Sequence, residues 1–233
     1  MTHSPPKVVV VTPSEVAALL SGPGVPAAHD LDEMAVPTYM HANPLARRLF
    51  WSRHRQILTM ARIAPGESVM DFGTGTGALL PSLCAAEARV WATDLHDALA
   101  RRLVAHRGLS VNFFVSAQLD ASIADGSLGA IIAADVLEHV EEPQLSELLG
   151  LFRKKLGKGG RLVVSLPTEN ALYKLGRVLA GYAGKGHYHR TTLAAFVESA
   201  RRAGFTREAK RSLPLPGPGC LFSIMRLIPN QTS

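Results

Sequence analysis

The chain is 233 residues long, which fits one domain or one domain with an appendage. Its 47% hydrophobic and 19% charged residues exclude a disordered or fibrous protein, and its net charge of +6 leaves nucleic acids, anionic lipids and acidic substrates open as partners. Two cysteines exclude a disulfide scaffold, a Cys-based zinc site and an iron–sulfur cluster, and no apolar run reaches the roughly 20 residues of a membrane helix. We therefore expect a soluble cytoplasmic protein, and we predict no metal site.

The first part of the chain, residues 1–43, is rich in Pro and Gly and has little periodicity. We predict that it forms an N-terminal arm or lid and that residues 44–233 form the main domain. One helix start is visible in the arm, because Thr12 can cap a helix, Pro follows it, and Glu15 can close a capping box. Residues 25–43 are expected to close over a pocket, by analogy with lids of similar domains.

A longer helix is predicted over about residues 45–62. Its apolar stripe at helical spacing consists of Leu45, Leu49, Phe50, Ile57, Leu58 and Ala61. Four arginines occupy other positions: Arg47, Arg48, Arg53 and Arg55. We expect this helix to pack on a core and to present its arginines as a solvated basic face. Because basic residues are scattered over several helices, the net charge argues only weakly for a nucleic-acid partner.

From residue 67 onward, short apolar runs alternate with helical patterns. Strands are predicted at 68–72, 89–94, 110–115, 128–134 and 161–166, and helices at 78–87, 96–107, 143–156 and 192–203. The helix at 143–156 is expected to end at Gly157, Gly159 and Gly160. This order predicts an α/β, doubly wound, mostly parallel sheet of seven strands. The last two strands, 205–213 and 220–228, should form an antiparallel hairpin, since the loop between them is too short for a helical crossover.

The most informative segment runs from Asp71 to Gly77 and joins the first strand to its helix. Its alternating glycines allow a tight turn and a close approach of the backbone to a ligand, and the helix that follows offers unpaired N–H groups. Asp94 ends the next strand, where a carboxylate can accept hydrogen bonds from both hydroxyls of a ribose. The loop also satisfies the dinucleotide pattern Gly-x-Gly-x-x-Ala, so an NAD(P)-dependent oxidoreductase remains an alternative at this point.

Several motifs together resemble the class I S-adenosylmethionine-dependent methyltransferases, with a Rossmann-like fold, over about residues 60–228. The landmarks are the glycine loop, Asp94, the Asp-Val-Leu-Glu-His-Val run from Asp135, the Gly-Lys-Gly-Gly-Arg-Leu turn from Gly157, and the closing hairpin. The resemblance implies S-adenosylmethionine as cofactor and a small-molecule or lipid-like acceptor methylated at oxygen, carbon or nitrogen. A non-catalytic partner subunit that kept the fold is a further alternative. The acceptor and the oligomeric state cannot be read from the sequence.

The resemblance assigns cofactor contacts to Asp71, Gly73, Thr74, Gly75, Gly77, Asp94, Leu95, Ala117, Gln118 and Asp135. Asp71 would face the ammonium group, Asp94 would hold the ribose, and Leu95 would pack on the adenine. Two departures stand out. Ala117 stands where the family often has an adenine-binding Asp, which leaves Gln118, Asp120 or the backbone for that role, and Leu128-Gly129 replaces the usual Phe-Asp.

Candidate bases should lie beyond the carboxyl ends of the strands, where ligands bind in open α/β sheets. His187 and His189 lie between the fifth strand and the last crossover helix, and a histidine with a near-neutral pKa can deprotonate a phenol or hydroxyl. We therefore predict these two histidines as catalytic residues, while a solvated surface loop remains the alternative. His139 follows the fourth strand in a run shared by many relatives with different acceptors, so it is expected to pack or to start a helix.

Overall fold

The structure is a computed structural model that describes residues 7–21, 43–168 and 190–230. Most of the predicted lid (residues 25–43) lies outside these ranges, as do His187 and His189. The division into an arm and a main domain at residue 43 stays a prediction.

The described residues form seven strands and seven α-helices. The strands are β1 Ser68–Phe72, β2 Arg89–Thr93, β3 Val111–Phe113, β4 Leu128–Ala134, β5 Leu156–Pro167, β6 Phe205–Pro214 and β7 Cys220–Pro229. The helices are α1 Pro13–Leu19, α2 Pro44–Ala61, α3 Leu80–Ala85, α4 Ala98–Arg107, α5 Leu119–Ser122, α6 Glu142–Lys155 and α7 Leu193–Arg202. Three single 3₁₀ turns span Ser116–Gln118, Leu137–His139 and Gly217–Gly219.

The strands form one sheet in the order β3-β2-β1-β4-β5-β7-β6. The first five run parallel, whereas β7 is antiparallel to both β5 and β6. This arrangement confirms the predicted doubly wound α/β fold with a closing hairpin. The order reverses beside β1, so β1 and β4 meet at the switch point, where open α/β sheets bind ligands.

Helices cover both faces of the sheet because successive strand residues point to opposite sides. On one face, Met70 of β1 joins a core that includes Phe152 of α6 and Phe196 of α7. On the other face, the neighbouring Val69 joins a core that includes Ile57 of α2. Burial on both sides explains why the central strands read as continuous apolar runs.

Helix α2 departs from its prediction in two places. Leu45 lies at the start of the helix and is 70% exposed, so it does not belong to the buried stripe. Arg53 is only 5% exposed, so its assignment to a solvated basic face is wrong. The physical reason is position: Arg53 follows Phe50 by three residues and precedes Ile57 by four, which places all three on one side of the helix.

The connection from α6 to β5 is also tighter than predicted. Helix α6 ends at Lys155, and β5 begins at once with Leu156, so the glycines belong to the irregular start of the strand. The register shifts there, with Leu128 paired to Leu156 and Ala130 paired to Arg161. A Cβ atom at Gly157 would lie 2.5 Å from the carbonyl oxygen of Gly126, so this close crossing requires glycine.

The N-terminal segment (residues 7–21) packs against the main domain. Its capping box is confirmed, with the Glu15 amide donating to Thr12 Oγ1 at 3.3 Å and the Thr12 amide donating to the Glu15 carboxylate at 2.9 Å. Val11 and Val16 are buried in a cluster that includes Leu99 of α4. Within the described ranges, no helix has both the length and the apolar character needed to cross a membrane.

Candidate active site

The candidate site lies at the carboxyl edge of the sheet. Parallel strands end on the same edge, so the loops after β1, β2 and β4 meet there. Asp71 and the glycine loop come from β1, Asp94 follows β2, and Asp135 follows β4. The fold therefore brings together the acidic residues and the glycine loop that the sequence singled out.

The glycine loop has a backbone conformation that few other residues could adopt. Gly73, Gly75 and Gly77 have φ angles of 75°, 52° and 79°, in the left-handed region that favours glycine. The Gly73 amide donates to the carbonyl of Thr93 at 2.9 Å, which ties the loop to the end of β2. A Cβ atom on Gly73 would lie 2.5 Å from Val136 Cγ2, so the loop and the turn after β4 are in direct contact.

Asp71 is a buried carboxylate with little compensation. It is 2% exposed and accepts a hydrogen bond from Thr74 Oγ1 at 2.8 Å. Burial is the main cause that raises the pKa of Asp71 to about 7. The hydrogen bond from Thr74 lowers the pKa and partly opposes this rise, whereas the nearby charge of Asp94 adds to it. A ligand cation beside this group would favour its ionised form.

Asp94 links the glycine loop to the chain that follows β2. One carboxylate oxygen accepts from the Gly75 amide at 2.7 Å, and the other accepts from the His96 amide at 2.8 Å. These bonds hold the carboxylate in a fixed orientation. Each oxygen can accept more than one hydrogen bond, so the group can still bind two hydroxyls of a ligand.

Beside Asp94 lies an exposed apolar surface. Leu95 is 87% exposed and Val115, after β3, is 60% exposed. Ala117 and Gln118 are also exposed, in the 3₁₀ turn that follows Val115. Large apolar side chains at the ligand-binding edge suit the flat surface of a base. The sequence analysis identified Leu95 but missed Val115, whose only signal was its place at the end of an apolar run.

Asp120, one of the candidate partners of an adenine amino group, is engaged in ion pairs. Its carboxylate lies 2.9 Å from Lys154 Nζ and 2.5 Å from Lys155 Nζ. These two lysines also contact Asp125, so Asp120 belongs to an ion-pair cluster at the end of α6. Gln118, Asp120 and the backbone all stay candidate partners of an adenine amino group.

Asp135 is held by three groups. It has a φ angle of 54°, and its amide donates to the carbonyl of Ser165 at 2.9 Å. Ser165 Oγ donates to Asp135 Oδ1 at 3.0 Å, and Arg53 forms an ion pair with Oδ2. Sequence analysis missed Arg53, because an arginine on an amphipathic helix is normally solvated.

The segment after Asp135 is hydrogen-bonded to the chain that precedes α7. The backbone carbonyl of Glu138 accepts hydrogen bonds from the amides of Arg190 and Thr191, at 2.7 and 3.1 Å. His139 is exposed and is the last residue of the 3₁₀ turn, so it neither packs in the core nor starts the helix that begins at Glu142. Among the residues that the structure describes, no group of three or more His, Cys, Asp or Glu side chains is arranged to hold a metal ion.

Comparison with known proteins identifies the family. A profile described as "Methyltransferase domain" matches residues 45–210. The chain belongs to this methyltransferase family. The match agrees with the predicted class I S-adenosylmethionine-dependent methyltransferases and gives no support to the oxidoreductase alternative.

One relative is the ubiquinone biosynthesis O-methyltransferase of Xanthomonas axonopodis pv. citri, which is 31% identical over 159 residues. That match covers 64% of this chain and 64% of the relative, so the chain spans just under two thirds of the relative's length.

Solved structures agree on the fold. A Pyrococcus horikoshii protein superimposes with a TM-score of 0.64 at 20% identity, covering 83% of this chain and 96% of that one. Magnesium protoporphyrin IX methyltransferase from Synechocystis, solved with S-adenosylhomocysteine bound, has a TM-score of 0.62 at 16% identity, covering 87% of this chain and 95% of that one.

The cofactor of this family is S-adenosylmethionine, and the residues at the carboxyl edge fit it chemically. The buried, poorly compensated carboxylate of Asp71 suits a ligand cation, and the positive-φ glycines form a tight loop at the carboxyl edge. Asp94 offers two fixed acceptor oxygens, and Leu95 with Val115 offers an apolar surface.

Proposed function

We propose that the protein transfers a methyl group from S-adenosylmethionine to a small-molecule or lipid-like acceptor, at an oxygen, carbon or nitrogen atom. The observation that carries the proposal is the glycine loop set between the buried Asp71 and the fixed Asp94. The similarity to an O-methyltransferase of ubiquinone biosynthesis favours an oxygen acceptor, such as a phenol with an apolar substituent.

In this proposal Asp71 binds the ammonium group of the cofactor, and the backbone of Gly73, Thr74 and Gly75 surrounds its amino-acid part. Gly77 allows the turn into α3. Asp94 accepts hydrogen bonds from the ribose hydroxyls. Leu95 packs on one side of the adenine, and the Ala117–Gln118 turn borders the other. Asp135 lies at the floor near the methionine chain.

The bound cofactor supplies an electrophilic methyl group on a sulfonium ion. What the chain supplies is alignment, exclusion of water and, for a weakly acidic acceptor, a base. His187 and His189 remain the predicted bases. A neutral imidazole from either residue would take the proton of an acceptor hydroxyl as the new bond forms.

The first experiment is calorimetric titration of the full chain with S-adenosylmethionine, S-adenosylhomocysteine and NADH in parallel. The proposal expects binding of the first two ligands and none of NADH. Binding of NADH alone would refute the cofactor assignment. If S-adenosylmethionine binds but is not consumed with any acceptor tested, the non-catalytic partner hypothesis gains support.

The ribose assignment is tested by Asp94→Ala. The variant loses two charge-assisted hydrogen bonds to the ligand, so affinity for S-adenosylhomocysteine should fall about 100-fold. Asp97→Ala is the matched control, since Asp97 is also an acidic residue near the start of α4 but pairs with the exposed Arg101. Equal affinities of Asp94→Ala and the parent protein would contradict the assignment.

Turnover should then be measured as S-adenosylhomocysteine release on a panel of substituted phenols, amines, carboxylic acids and RNA. We expect release with a phenol of apolar substitution and none with RNA. For the phenol substrate, His187→Gln and His189→Gln should lower kcat with little change in cofactor affinity. If neither variant lowers kcat, the base lies elsewhere.

A further inference from the structure

Arg53 has an environment unlike that of the other arginines of α2. It is 5% exposed, and its guanidinium carbon lies 4.7 Å from the ring centroids of both Phe50 and Phe222. Its guanidinium also forms the ion pair with Asp135. The two rings come from α2 and β7, so the arginine joins three elements at the carboxyl edge. A buried guanidinium with this many specific contacts holds one orientation.

The carboxylate that Arg53 binds sits on an unusual backbone. Asp135 has a φ angle of 54°, a left-handed conformation that a side chain other than glycine rarely adopts. Such a residue keeps its conformation only when its surroundings fix it. Here the fixing groups are Arg53 on one carboxylate oxygen and Ser165 Oγ on the other.

The next residue transmits this turn to the glycine loop. Val136 packs so closely on Gly73 that a Cβ atom there would lie within 2.5–2.9 Å of three Val136 side-chain atoms. A displacement of the Asp135–Val136 turn must therefore change the space available to Gly73. A continuous path of contacts thus runs from Arg53 through Asp135 and Val136 to the cofactor loop.

We propose that Arg53 is a positioning residue for cofactor binding, which fixes the turn after β4 through its ion pair with Asp135 and thereby sets the position of Gly73. The inference rests on the proposed function, since it concerns the same cofactor site. It assigns a role to α2, which precedes every cofactor motif in the chain. Arg53 acts on the ligand through Asp135 and Val136.

The test measures affinity for S-adenosylhomocysteine by calorimetry, at a temperature well below the melting transition of each variant. Arg53→Met keeps the length of the apolar stem but removes the charge, and affinity should fall about tenfold. Arg53→Lys keeps the charge and should recover part of that loss. The matched control is Arg55→Met, because Arg55 is exposed on the same helix, and its affinity should equal that of the parent.

A second arm tests whether the effect passes through Asp135. Asp135→Asn keeps the size of the side chain and removes its charge, so it should weaken binding as Arg53→Met does. The double variant should bind S-adenosylhomocysteine no more weakly than the single variant with the lower affinity, since both substitutions break the same ion pair. A mainly structural role for Arg53 would instead lower the melting temperature while leaving affinity unchanged.

The outcomes separate the two claims. Unchanged affinity in folded Arg53→Met, or effects of Arg53→Met and Asp135→Asn that simply add, would overturn the positioning role while the proposed function stands. A parent protein that fails to bind S-adenosylhomocysteine would overturn both. If Arg53→Met does not fold, Arg53→Lys and Asp135→Asn decide the matter: weakened binding in both supports the role, and parental affinity in both refutes it.

Discussion

The two ends of β1 carry acidic side chains in opposite electrostatic environments. Glu67 immediately precedes the strand at the amino edge of the sheet, and Asp71 lies near its carboxyl end. Burial raises the pKa of both groups, but at Glu67 the hydrogen bonds and charge of Arg161 outweigh it and lower the pKa. At Asp71 burial prevails, and the pKa rises to about 7. The charge of Glu67 is therefore compensated and that of Asp71 is not.

Two buried arginines, one at each edge of the sheet, have different sets of partners. Arg161 donates to both oxygens of Glu67 and to the carbonyls of Ala61, Arg62 and Gly129, so it closes the amino edge against the end of α2. Arg53 lies between two aromatic rings and pairs with a carboxylate on a strained turn. Helix α2 is therefore fixed at its carboxyl end by a network that serves stability, whereas Arg53, in the middle of the helix, faces the site.

The largest expected effect is on stability, at the amino edge. Arg161→Met removes the guanidinium that pairs with the partly buried Glu67 carboxylate and donates to three backbone carbonyls, and only the Ala64 amide bond to Glu67 described in the structure would remain. The loss should cost about 3–5 kcal/mol of unfolding free energy. Urea unfolding measures this loss. Arg55→Met again serves as the control and should stay within about 0.5 kcal/mol of the parent.

The same variant separates the two edges. Where Arg161→Met is still folded, its affinity for S-adenosylhomocysteine should equal that of the parent, because the network lies at the opposite edge of the sheet from the glycine loop. A large loss of affinity without a loss of stability would mean that the amino edge also serves the site, and the contrast between the edges would fail.

The next effect is a pH dependence at Asp71. Because its pKa is about 7, the carboxyl of the ligand-free protein is mostly protonated near pH 5.5 and mostly ionised near pH 7.5. Only the ionised form attracts a ligand ammonium, so affinity for S-adenosylhomocysteine should rise about tenfold between these values. In Asp71→Asn the affinity should be weak and nearly independent of pH, whereas the surface variant Asp97→Asn should keep the parental slope.

Stability of the ligand-free protein should change with pH in the opposite direction. A carboxyl whose pKa is raised on folding stabilises the native state below its unfolded pKa of about 4, and this contribution is lost as pH rises through about 7. Asp71→Asn should remove that decline.

The pH dependence of affinity provides the decisive test. If the parent bound the cofactor equally at about pH 5.5 and about pH 7.5, Asp71 would not be the ammonium partner.

Local patterns predicted the elements well, because the relevant physics lies within a few residues. The capping box at Thr12 and Glu15 and the glycine loop depend on neighbours in sequence, and both are present in the structure. Burial on both faces made β1 and β4 visible as apolar runs, and their bounds agree with the prediction. The carboxyl-edge location of Asp71 and Asp94 followed from the parallel topology.

Contacts between distant parts of the chain were missed. The burial of Arg53 depends on Asp135 and Phe222, which lie in other elements. Its charge therefore led to its assignment to the solvated face, although helical spacing places it beside Phe50 and Ile57. The pairing of Asp120 with Lys154 and Lys155 depends in the same way on where α6 ends. In a sequence, a charged side chain is expected to be exposed. In the fold, whether it is exposed or buried depends on a specific partner from a distant part of the chain.

The smallest effect concerns the N-terminal segment, which lies outside both edges. The Arg107 guanidinium bonds both carboxylate oxygens of Glu15 at 2.9 Å and the carbonyl of Val10 at 2.9 Å. Glu15→Gln keeps an acceptor for the capping box and removes the charge, so it should cost about 0.5–1 kcal/mol at neutral pH. Glu147→Gln, at an exposed position of α6, is the control.

The pH dependence of this loss has a definite sign. Burial raises the pKa of Glu15, but hydrogen bonds from the Thr12 backbone and Arg107 outweigh it and lower the pKa. The stabilisation is therefore present above the ordinary pKa of a glutamate and disappears as pH falls below it, so the difference between parent and Glu15→Gln should shrink in acid. The N-terminal segment is linked to the site indirectly, since Val16 packs in the cluster that includes Ala78, which directly follows the glycine loop. We therefore expect Glu15→Gln to change cofactor affinity about twofold or less. A change as large as that of Asp71→Asn would make the N-terminal segment part of the site, and the contrast between the two edges would then have to include it.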